Sequence, residues 1–569
     1  MRVIATAGHV DHGKSTLITA LTGTNPDRWA EEQARGLTID LGFAHMVTPG
    51  GEAISFIDVP GHVRFLGNML AGVGGIDGCL FVVDAREGWM PQTEEHLRIL
   101  QLTATPRGVI ALTKSDLCDA DDLELATLDI ADRVRGTFLE GADVVPVSAT
   151  SSAGMPTLVD ALERLARTTS AAPDRDRPRL FIDRVFAAKG SGTVVTGTLR
   201  DGTFVVGDQV EVGPERVPCR IRGMQTLGRA VERIGPGNRV ALNLSGVEHH
   251  ALTRGHCVVT PGGWFHTARV DARLKVLSSL EHKVSRRGAY TVHIGSDEIP
   301  ARLRVIGPES LDPGATANVR LHLDRQVPLL PGDHYILRES GRSETIGGGE
   351  ILDVDPVLPA SRANPDGDWR RVVSERGIIT VDELFLLTGH REAATVGRWV
   401  IDERRLDARR SAIGEMLDRH GADGVDASTF DEIDRAIIDN DSSIVVHDGR
   451  ARRPGVVDPL FEHPVIATLR DAGCAPPTPT NIDNASLRRL AKAGVLFERD
   501  GEWFHVDAIE TARNVARTLL SANEGGFTLS QFRDALGITR KHAVPLATEL
   551  DARGITRRRD DVRIAGPRL

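Results

Sequence analysis

Residues 8–15 read GHVDHGKS, which fits the pattern G-x-x-x-x-G-K-[ST], and they follow an apolar run at residues 3–7 that predicts a buried strand. A glycine-rich loop after a strand can turn its backbone N–H groups toward phosphate oxygens, while Lys14 reaches the β- and γ-phosphates and the Ser15 hydroxyl ligates Mg²⁺. The pattern alone also matches ordinary strand–turn–helix connections. The residues expected to hold the phosphates are His9, Val10, Asp11, His12, Gly13, Lys14, Ser15 and Thr16.

Three further segments place polar residues at strand ends. Residues 55–62, SFIDVPGH, carry Asp58 into a proline–glycine turn, which suits a carboxylate near Mg²⁺. Residues 108–116, GVIALTKSD, end in Asp116, which can accept from the N1–H and amine of guanine, a donor pair that adenine lacks. At residues 144–149, VVPVSA, backbone N–H groups can reach the guanine carbonyl. The nucleotide contacts expected here are Asp58, Gly61, Thr113, Lys114, Asp116, Leu117, Ser148 and Ala149.

Each of these segments alone is equally typical of a turn or a solvated strand exit. All four occur in this order, each at the C-terminal end of a predicted strand, and together they indicate a GTP-binding site.

The chain also resembles a known family, the translational GTPases of the elongation factor Tu class. The similar segments are GHVDHGKSTL at 8–17, RGLTID at 35–40, DVPGH at 58–62 and KGSGTVVTGT at 189–198. Within that class, three segments resemble the selenocysteine-specific branch more closely: IDLGF at 39–43, NMLAGVGGID at 68–77 and ALTK at 111–114. The usual Asn of the guanine motif is Thr113 here, a departure that fits that branch.

The resemblance implies roles for two more residues of the GTP site. His62 stands where small GTPases carry a water-orienting Gln, so we expect it to align water once the ribosome positions it, with slow turnover otherwise. Thr38 is expected to ligate Mg²⁺ from a switch loop that is ordered only with the γ-phosphate present. The alternative is that Thr38 only caps a helix or begins a strand. The expected Mg²⁺ ligands are Ser15, Thr38 and Asp58.

The resemblance further implies selenocysteinyl-tRNA as a partner, which must be separated from the seryl and cysteinyl forms. A selenol is more acidic than a thiol and is mostly ionised near neutral pH, so arginines favour it, whereas a serine hydroxyl forfeits the charge-assisted contact. By resemblance, the aminoacyl pocket lies between the GTPase domain and the first barrel. Its expected residues are Phe43, Asp183, Arg184 and Arg239. The alternative is that Asp183 and Arg184 are simply exposed strand residues.

Length and composition limit the class of protein. The 569 residues suffice for three to five domains, and 41% hydrophobic and 26% charged residues are ordinary for a globular protein. No run of about 18 apolar residues predicts a membrane span. The N-terminus enters the first strand directly and the five cysteines are scattered, so we expect no signal peptide, no disulfide framework and a cytoplasmic location.

The patterning along the chain predicts four parts. Residues 1–172 alternate strands and helices as in a parallel α/β GTPase domain. Residues 179–260 and 261–359 are β-rich and punctuated by glycine and proline, which indicates two antiparallel β-barrels. Helical periodicity returns in residues 366–569, which we interpret as four winged-helix modules, the last at about 517–569. A helical repeat array that binds protein is the alternative.

The last module is basic on a chain of net charge −10, since residues 530–569 hold nine Arg or Lys against five acidic residues. Residues 537–546 predict the turn and start of a recognition helix, and residues 554–563 predict a wing. Such groups would grip hairpin phosphates and stack on loop bases, although a charge run is often just a solvated face. The RNA-binding residues expected are Arg540, Lys541, Arg557, Arg558, Arg559 and Arg563.

Together, the residues and the resemblance imply a monomeric, GTP-dependent elongation factor that carries selenocysteinyl-tRNA to ribosomes at UGA codons marked by an mRNA hairpin. One alternative is a GTPase switch with a protein-binding tail. Another, an initiation factor subunit, shares the GTPase domain and barrels but lacks an array of winged helices.

Overall fold

The computed structural model describes residues 1–26, 38, 40–61, 66–73, 75–188, 192–342, 344–455, 458–523 and 525–569. The chain divides into two compact units, Met1–Ala394 and Thr395–Leu569. In the part of the chain that is described, every helix is too short or too polar to cross a membrane.

The N-terminal domain is a six-stranded sheet with helices on both faces. Its strands are β1 (Arg2–Ala7), β2 (Gly42–Val47), β3 (Ala53–Asp58), β4 (Gly78–Asp84), β5 (Gly108–Thr113) and β6 (Val144–Pro146), in the order β2-β3-β1-β4-β5-β6. Its helices are α1 (Lys14–Thr22), α2 (Leu66–Val73), α3 (Pro91–Leu102), α4 (Ala120–Arg133) and α5 (Met155–Thr168). Only edge strand β2 pairs antiparallel, because its link to β3 is too short for a crossover.

The first barrel closes six antiparallel strands into a ring. In ring order they are Gln209–Val212, Cys257–Val259, Arg179–Phe181, Gly192–Arg200, Asn238–Ser245 and Val217–Thr226, which pairs back with the first. Short strands Arg184–Ala188, Phe204–Val205, Arg229–Val231 and Arg233–Ile234 lie beside this ring.

The second barrel has the same closed form. Its ring order is His266–Val276, Thr316–Pro328, Asp297–Val305, Tyr290–Ile294, His334–Glu339 and Glu344–Asp353, with a small pair at Val284–Ser285 and Ser310–Leu311. Burial alternates residue by residue along Asp297–Val305, where the buried apolar side chains from Ile299 to Val305 fill the barrel and the charged ones between them face outward.

Helices and short strands make up the rest of the chain. In the first unit these are Trp369–Arg376, Ile378–Thr380 and Val381–Thr388. Helices of the second unit are Glu403–His420, Glu432–Asp439, Pro464–Asp471, Asn484–Lys492, Asp507–Ala522, Leu529–Leu536 and Arg540–Ala552. Its strands are Trp399–Ile401, Val425–Asp426, Val445–His447, Arg450–Arg452, Leu496–Arg499, Glu502–His505, Phe527–Thr528, Thr556–Arg559 and Val562–Ala565.

The last three helices and three strands form a winged helix. Thr528 and Gln531 make a reciprocal capping box that starts helix Leu529–Leu536, and Gly537 ends it with φ 64°. Buried Phe532 on this helix and buried Leu546 on the next helix, Arg540–Ala552, belong to the module's core. The predicted fold class, an α/β GTPase domain, two antiparallel β-barrels and a C-terminal array of winged-helix domains, is confirmed. The division of the extension into four modules stays a prediction.

Candidate functional site

The loop after β1 wraps tightly against the strand next to it. Gly8 has φ 137°, and a Cβ atom there would lie 2.1 Å from the carbonyl oxygen of Val82, so only glycine fits. Gly13 has φ 84° and caps the start of helix α1, and the N-terminus of a helix attracts an anion. The loop therefore has the backbone form expected of a phosphate-binding loop.

The three predicted Mg²⁺ ligands lie together at the start of α1. The Ser15 hydroxyl donates to Asp58 Oδ2 at 2.6 Å and lies 2.8 Å from Thr38 Oγ1. Asp58 is fully buried, and its other carboxylate oxygen accepts from Thr6 at 2.7 Å. Two hydroxyls and a carboxylate are the oxygen donors that Mg²⁺ prefers, so these residues fit the ion.

Lys14 lies across the loop that precedes it. Its Nζ donates to the carbonyl oxygens of Gly8 at 3.1 Å and His9 at 2.6 Å, and the side chain is almost fully buried. Gly61 packs directly on this group, since a Cβ atom at Gly61 would lie 2.5 Å from Lys14 Nζ. His62 follows Gly61 and lies outside the described residues.

Two residues that the sequence did not predict hold the loop from helix α3. The N–H of Gly8 donates to His96 Nδ1, and the N–H of Val10 donates to Gln92 Oε1, both at 3.0 Å. Burial lowers the pKa of His96 to about 3, which keeps its ring neutral and able to accept. The spacing of Gln92 and His96 by four residues, which puts both on one helix face, was the available signal.

The predicted guanine-reading segment is tied to the phosphate loop through Thr113. Its hydroxyl donates to the carbonyl oxygen of His12 at 2.7 Å. Burial lowers the pKa of His12 to about 4. Lys114 Nζ lies 2.5 Å from an Asp84 carboxylate oxygen at the end of β4. These contacts hold the ends of β4 and β5 beside the loop after β1.

The remaining predicted base contacts lie at the same sheet edge. Asp116 and Leu117 are exposed on a short 3₁₀ turn, Ser115–Leu117. The N–H of Ser115 donates to Val147 at 3.2 Å, which brings this turn to the end of β6, where Ser148 is buried and Ala149 half-buried. Asp11 and Thr16 are exposed around the phosphate loop.

The four residues predicted for the aminoacyl pocket form one cluster between β2 and the first barrel. The guanidinium carbon of Arg239 lies 3.5 Å, and that of Arg184 4.5 Å, from the centre of the Phe43 ring. Arg239 Nη2 donates to both Asp183 oxygens at 2.8 and 2.9 Å, and Arg184 donates to the Leu41 carbonyl. Asp183 is 6% exposed, so it is not an exposed strand residue. Stacked, hydrogen-bonded guanidiniums are a preorganised cationic surface.

An open cleft of about 650 Å³ adjoins this cluster. Its lining residues are Asp40, Asp183, Arg184, Val185, Phe186, Leu252, Thr253 and Arg254. Arg254 was not predicted, because no motif marks it.

In the winged helix, five of the six predicted RNA-binding residues are exposed. Arg540 and Lys541 open helix Arg540–Ala552, and Arg557, Arg558 and Arg559 lie on the edge strand of the wing. Lys541 Nζ lies 2.9 Å from a Glu502 oxygen. Their positions on one module match the predicted layout.

Arg563 departs from this arrangement. It is 9% exposed, and its Nε donates to Asp551 at 2.9 Å. The reason is that its strand, Val562–Ala565, is the central one of three, so the side chain packs under the helix that carries Asp551. Arg563 thus serves the module's internal packing in this structure.

Comparisons with known proteins agree along the whole chain. Residues 1–168 match the family model of the elongation factor Tu GTP binding domain, residues 268–357 that of the selenocysteine-specific elongation factor beta-barrel domain, and residues 518–565 that of the elongation factor SelB winged helix. The selenocysteine-specific elongation factor of Desulfomicrobium baculatum is 34% identical over 99% of both chains. That of Escherichia coli is 30% identical over 98% of this chain and 97% of its own.

The fold is also similar to that of a solved structure. The chain is similar to the crystal structure of a bacterial selenocysteine-specific elongation factor, EF-Sec, with a TM-score of 0.73 and 26% identity over 99% of each chain. The GTPase site predicted from the sequence therefore stands in a chain that belongs to the selenocysteine-specific elongation factor family.

Proposed function

We propose that this GTPase carries selenocysteinyl-tRNA to ribosomes in the cytoplasm, as a monomer, at UGA codons marked by an mRNA hairpin. The observation that carries the proposal is the cluster of Arg184, Arg239, Asp183 and Phe43 beside the GTP site. Two arginines held on an aromatic face stabilise a selenolate, whereas they gain little from a neutral hydroxyl.

In the proposed GTP cycle, Ser15, Thr38 and Asp58 would hold Mg²⁺, which would neutralise phosphate charge. Lys14 binds the β- and γ-phosphates, and Asp116 accepts from guanine. His62 aligns the attacking water. This role is supported by the packing of Gly61, the residue before His62, against the Nζ of Lys14. Loss of the γ-phosphate frees the Thr38 segment, and this release is the signal.

For RNA, the proposed reader of the hairpin is the final module. Arg540 and Lys541 would contact phosphates from the recognition helix, and the exposed arginines of strand Thr556–Arg559 would do so from the wing. We propose the division 1–172, 179–260, 261–359 and 366–569 for the GTPase domain, the two barrels and the extension.

The test is equilibrium binding of one tRNA charged with selenocysteine, cysteine or serine to the full chain with a non-hydrolysable GTP analogue. We expect a preference for the selenocysteinyl form over the seryl form of about tenfold or more, or about 1.4 kcal/mol. Arg239→Gln removes one cation of the cluster and should erase most of that preference.

Arg229→Gln is the matched control, since Arg229 is an exposed arginine on the same barrel in strand Arg229–Val231. It should leave the preference unchanged. Equal binding of the seryl and selenocysteinyl forms by the unmodified protein would show that this function is wrong.

A further inference from the structure

One arginine of the first barrel contacts three separate segments with the three nitrogens of its guanidinium. Arg254 Nη2 donates to Asp40 Oδ1 at 2.6 Å, and Nη1 donates to Asn68 Oδ1 at 2.7 Å. Its Nε donates to the backbone carbonyl of Asp183 at 3.0 Å. Because the guanidinium is planar and rigid, the three contacts fix the relative positions of the three segments.

The three segments belong to the two sites described above. Asp40 follows Thr38 by two residues, and Asn68 lies on α2, which begins five residues after Gly61, so both belong to chain segments with proposed roles at the γ-phosphate. Asp183 is the residue whose carboxylate holds Arg239 over Phe43. The Arg254 side chain thus spans the distance from the nucleotide segments to the aminoacyl cluster.

This bridge depends on the arrangement of the nucleotide site. Thr38 lies 2.8 Å from Ser15, at the proposed Mg²⁺ site. Movement of the Thr38 segment or of α2 would remove Asp40 or Asn68 from a guanidinium that stays anchored to Asp183. Arg254 is 29% exposed and Asp40 24% exposed, so the ion pair is partly shielded from water.

We propose that Arg254 is a positioning residue that couples the nucleotide state to the aminoacyl cluster. The inference rests on the proposed function, because it explains how GTP binding and selenocysteinyl-tRNA binding favour one another. Linkage requires that such coupling be reciprocal: whatever Arg254 adds to tRNA affinity through GTP, it adds equally to GTP affinity through tRNA.

The experiment measures selenocysteinyl-tRNA affinity of the full chain with a GTP analogue and with GDP, and takes the ratio. Arg254→Gln should lower the ratio about tenfold, within the usual range of coupling between sites, and Asp40→Asn, which removes the charge of one contact only, should lower it by a smaller factor. Asp40→Asn affects only one of the three contacts that Arg254→Gln removes, so the double variant should lower the ratio no further than Arg254→Gln alone. A purely structural role would weaken tRNA binding equally in both nucleotide states.

Arg229→Gln again serves as the control, and it should leave the ratio at the wild-type value. An unchanged or raised ratio in Arg254→Gln, or additive effects in the double variant, would overturn the proposal. If Arg254→Gln does not fold, Asp40→Asn decides alone, and an unchanged ratio there has the same meaning. A wild-type protein with no nucleotide dependence of tRNA binding would instead contradict the proposed function and leave no coupling to explain.

Discussion

The nucleotide site and the basic face of the last winged helix use charge in opposite ways. Asp58 and Lys14 are buried, and each is bonded to neighbouring groups. Arg557, Arg558 and Arg559 are exposed on an edge strand. Buried, mutually bonded groups depend on geometry and are poorly screened by salt, whereas exposed charges act roughly as a sum and weaken as salt rises. Activity at the nucleotide site should therefore be sensitive to single-atom changes, whereas RNA binding at the basic face should depend on its net charge.

The sharpest expected contrast comes from His62→Ala. It removes water alignment, an interaction of the transition state, and leaves ground-state contacts to GTP in place. We expect ribosome-stimulated hydrolysis to fall about 100- to 10,000-fold, the usual range for a positioned proton-handling group, with GTP affinity within about threefold of wild type. Single-turnover hydrolysis with programmed ribosomes measures the first quantity and nucleotide titration the second. Unchanged stimulated turnover would show that His62 does not align water.

The basic face is tested by reversing charge without altering the nucleotide site. Arg540→Glu with Lys541→Glu should weaken mRNA hairpin binding by about a hundredfold at low salt and flatten its salt dependence, because two cations that displace counterions become anions. Nucleotide binding should not change, since the two sites are in different compact units. Binding is measured by titrating labelled hairpin over a salt series.

A matched reversal in an earlier part of the extension serves as the control. Arg488→Glu with Lys492→Glu changes two exposed cations on helix Asn484–Lys492 by the same amount. If this pair weakens hairpin binding as strongly as the pair at Arg540 and Lys541, the RNA site is not confined to the last module.

Residues in short sequence motifs could be predicted, whereas contacts between residues far apart in the sequence could not. The phosphate loop and the Asp58 turn are short motifs at strand ends, so their meeting at one sheet edge follows from the parallel topology. The meeting of Phe43 with Arg239 across two domains came only from the family resemblance. Gln92, His96 and Arg254 act from a helix and a loop without motifs, so their contacts became visible only in three dimensions. For Arg563, the sequence showed the charge but not that its strand is central.

The smallest expected effect concerns His96, which supports the phosphate loop from inside the protein. It is 1% exposed, and burial lowers its pKa from 6.5 to about 3. Below about pH 6.5 the His96 ring is protonated in the unfolded chain but stays neutral in the folded protein. The stability from this residue is therefore complete above pH 6.5 and declines as the pH falls toward 3, by about 1.4 kcal/mol per pH unit.

His96→Asn keeps an acceptor for the Gly8 N–H but has no proton to gain, so it should remove this part of the pH dependence. Calorimetry can follow the unfolding transition that added GDP shifts upward, which is that of the compact unit containing the GTPase domain. Between pH 6.5 and 5, we expect that transition to lose about 2 kcal/mol less in His96→Asn than in wild type. His293 in the second barrel, whose pKa burial lowers to about 4, provides the control. His293→Asn removes a different buried imidazole of the same compact unit, so its effect on the pH slope should add to that of His96→Asn. Identical pH slopes for wild type and His96→Asn would mean that the buried ring does not titrate on unfolding.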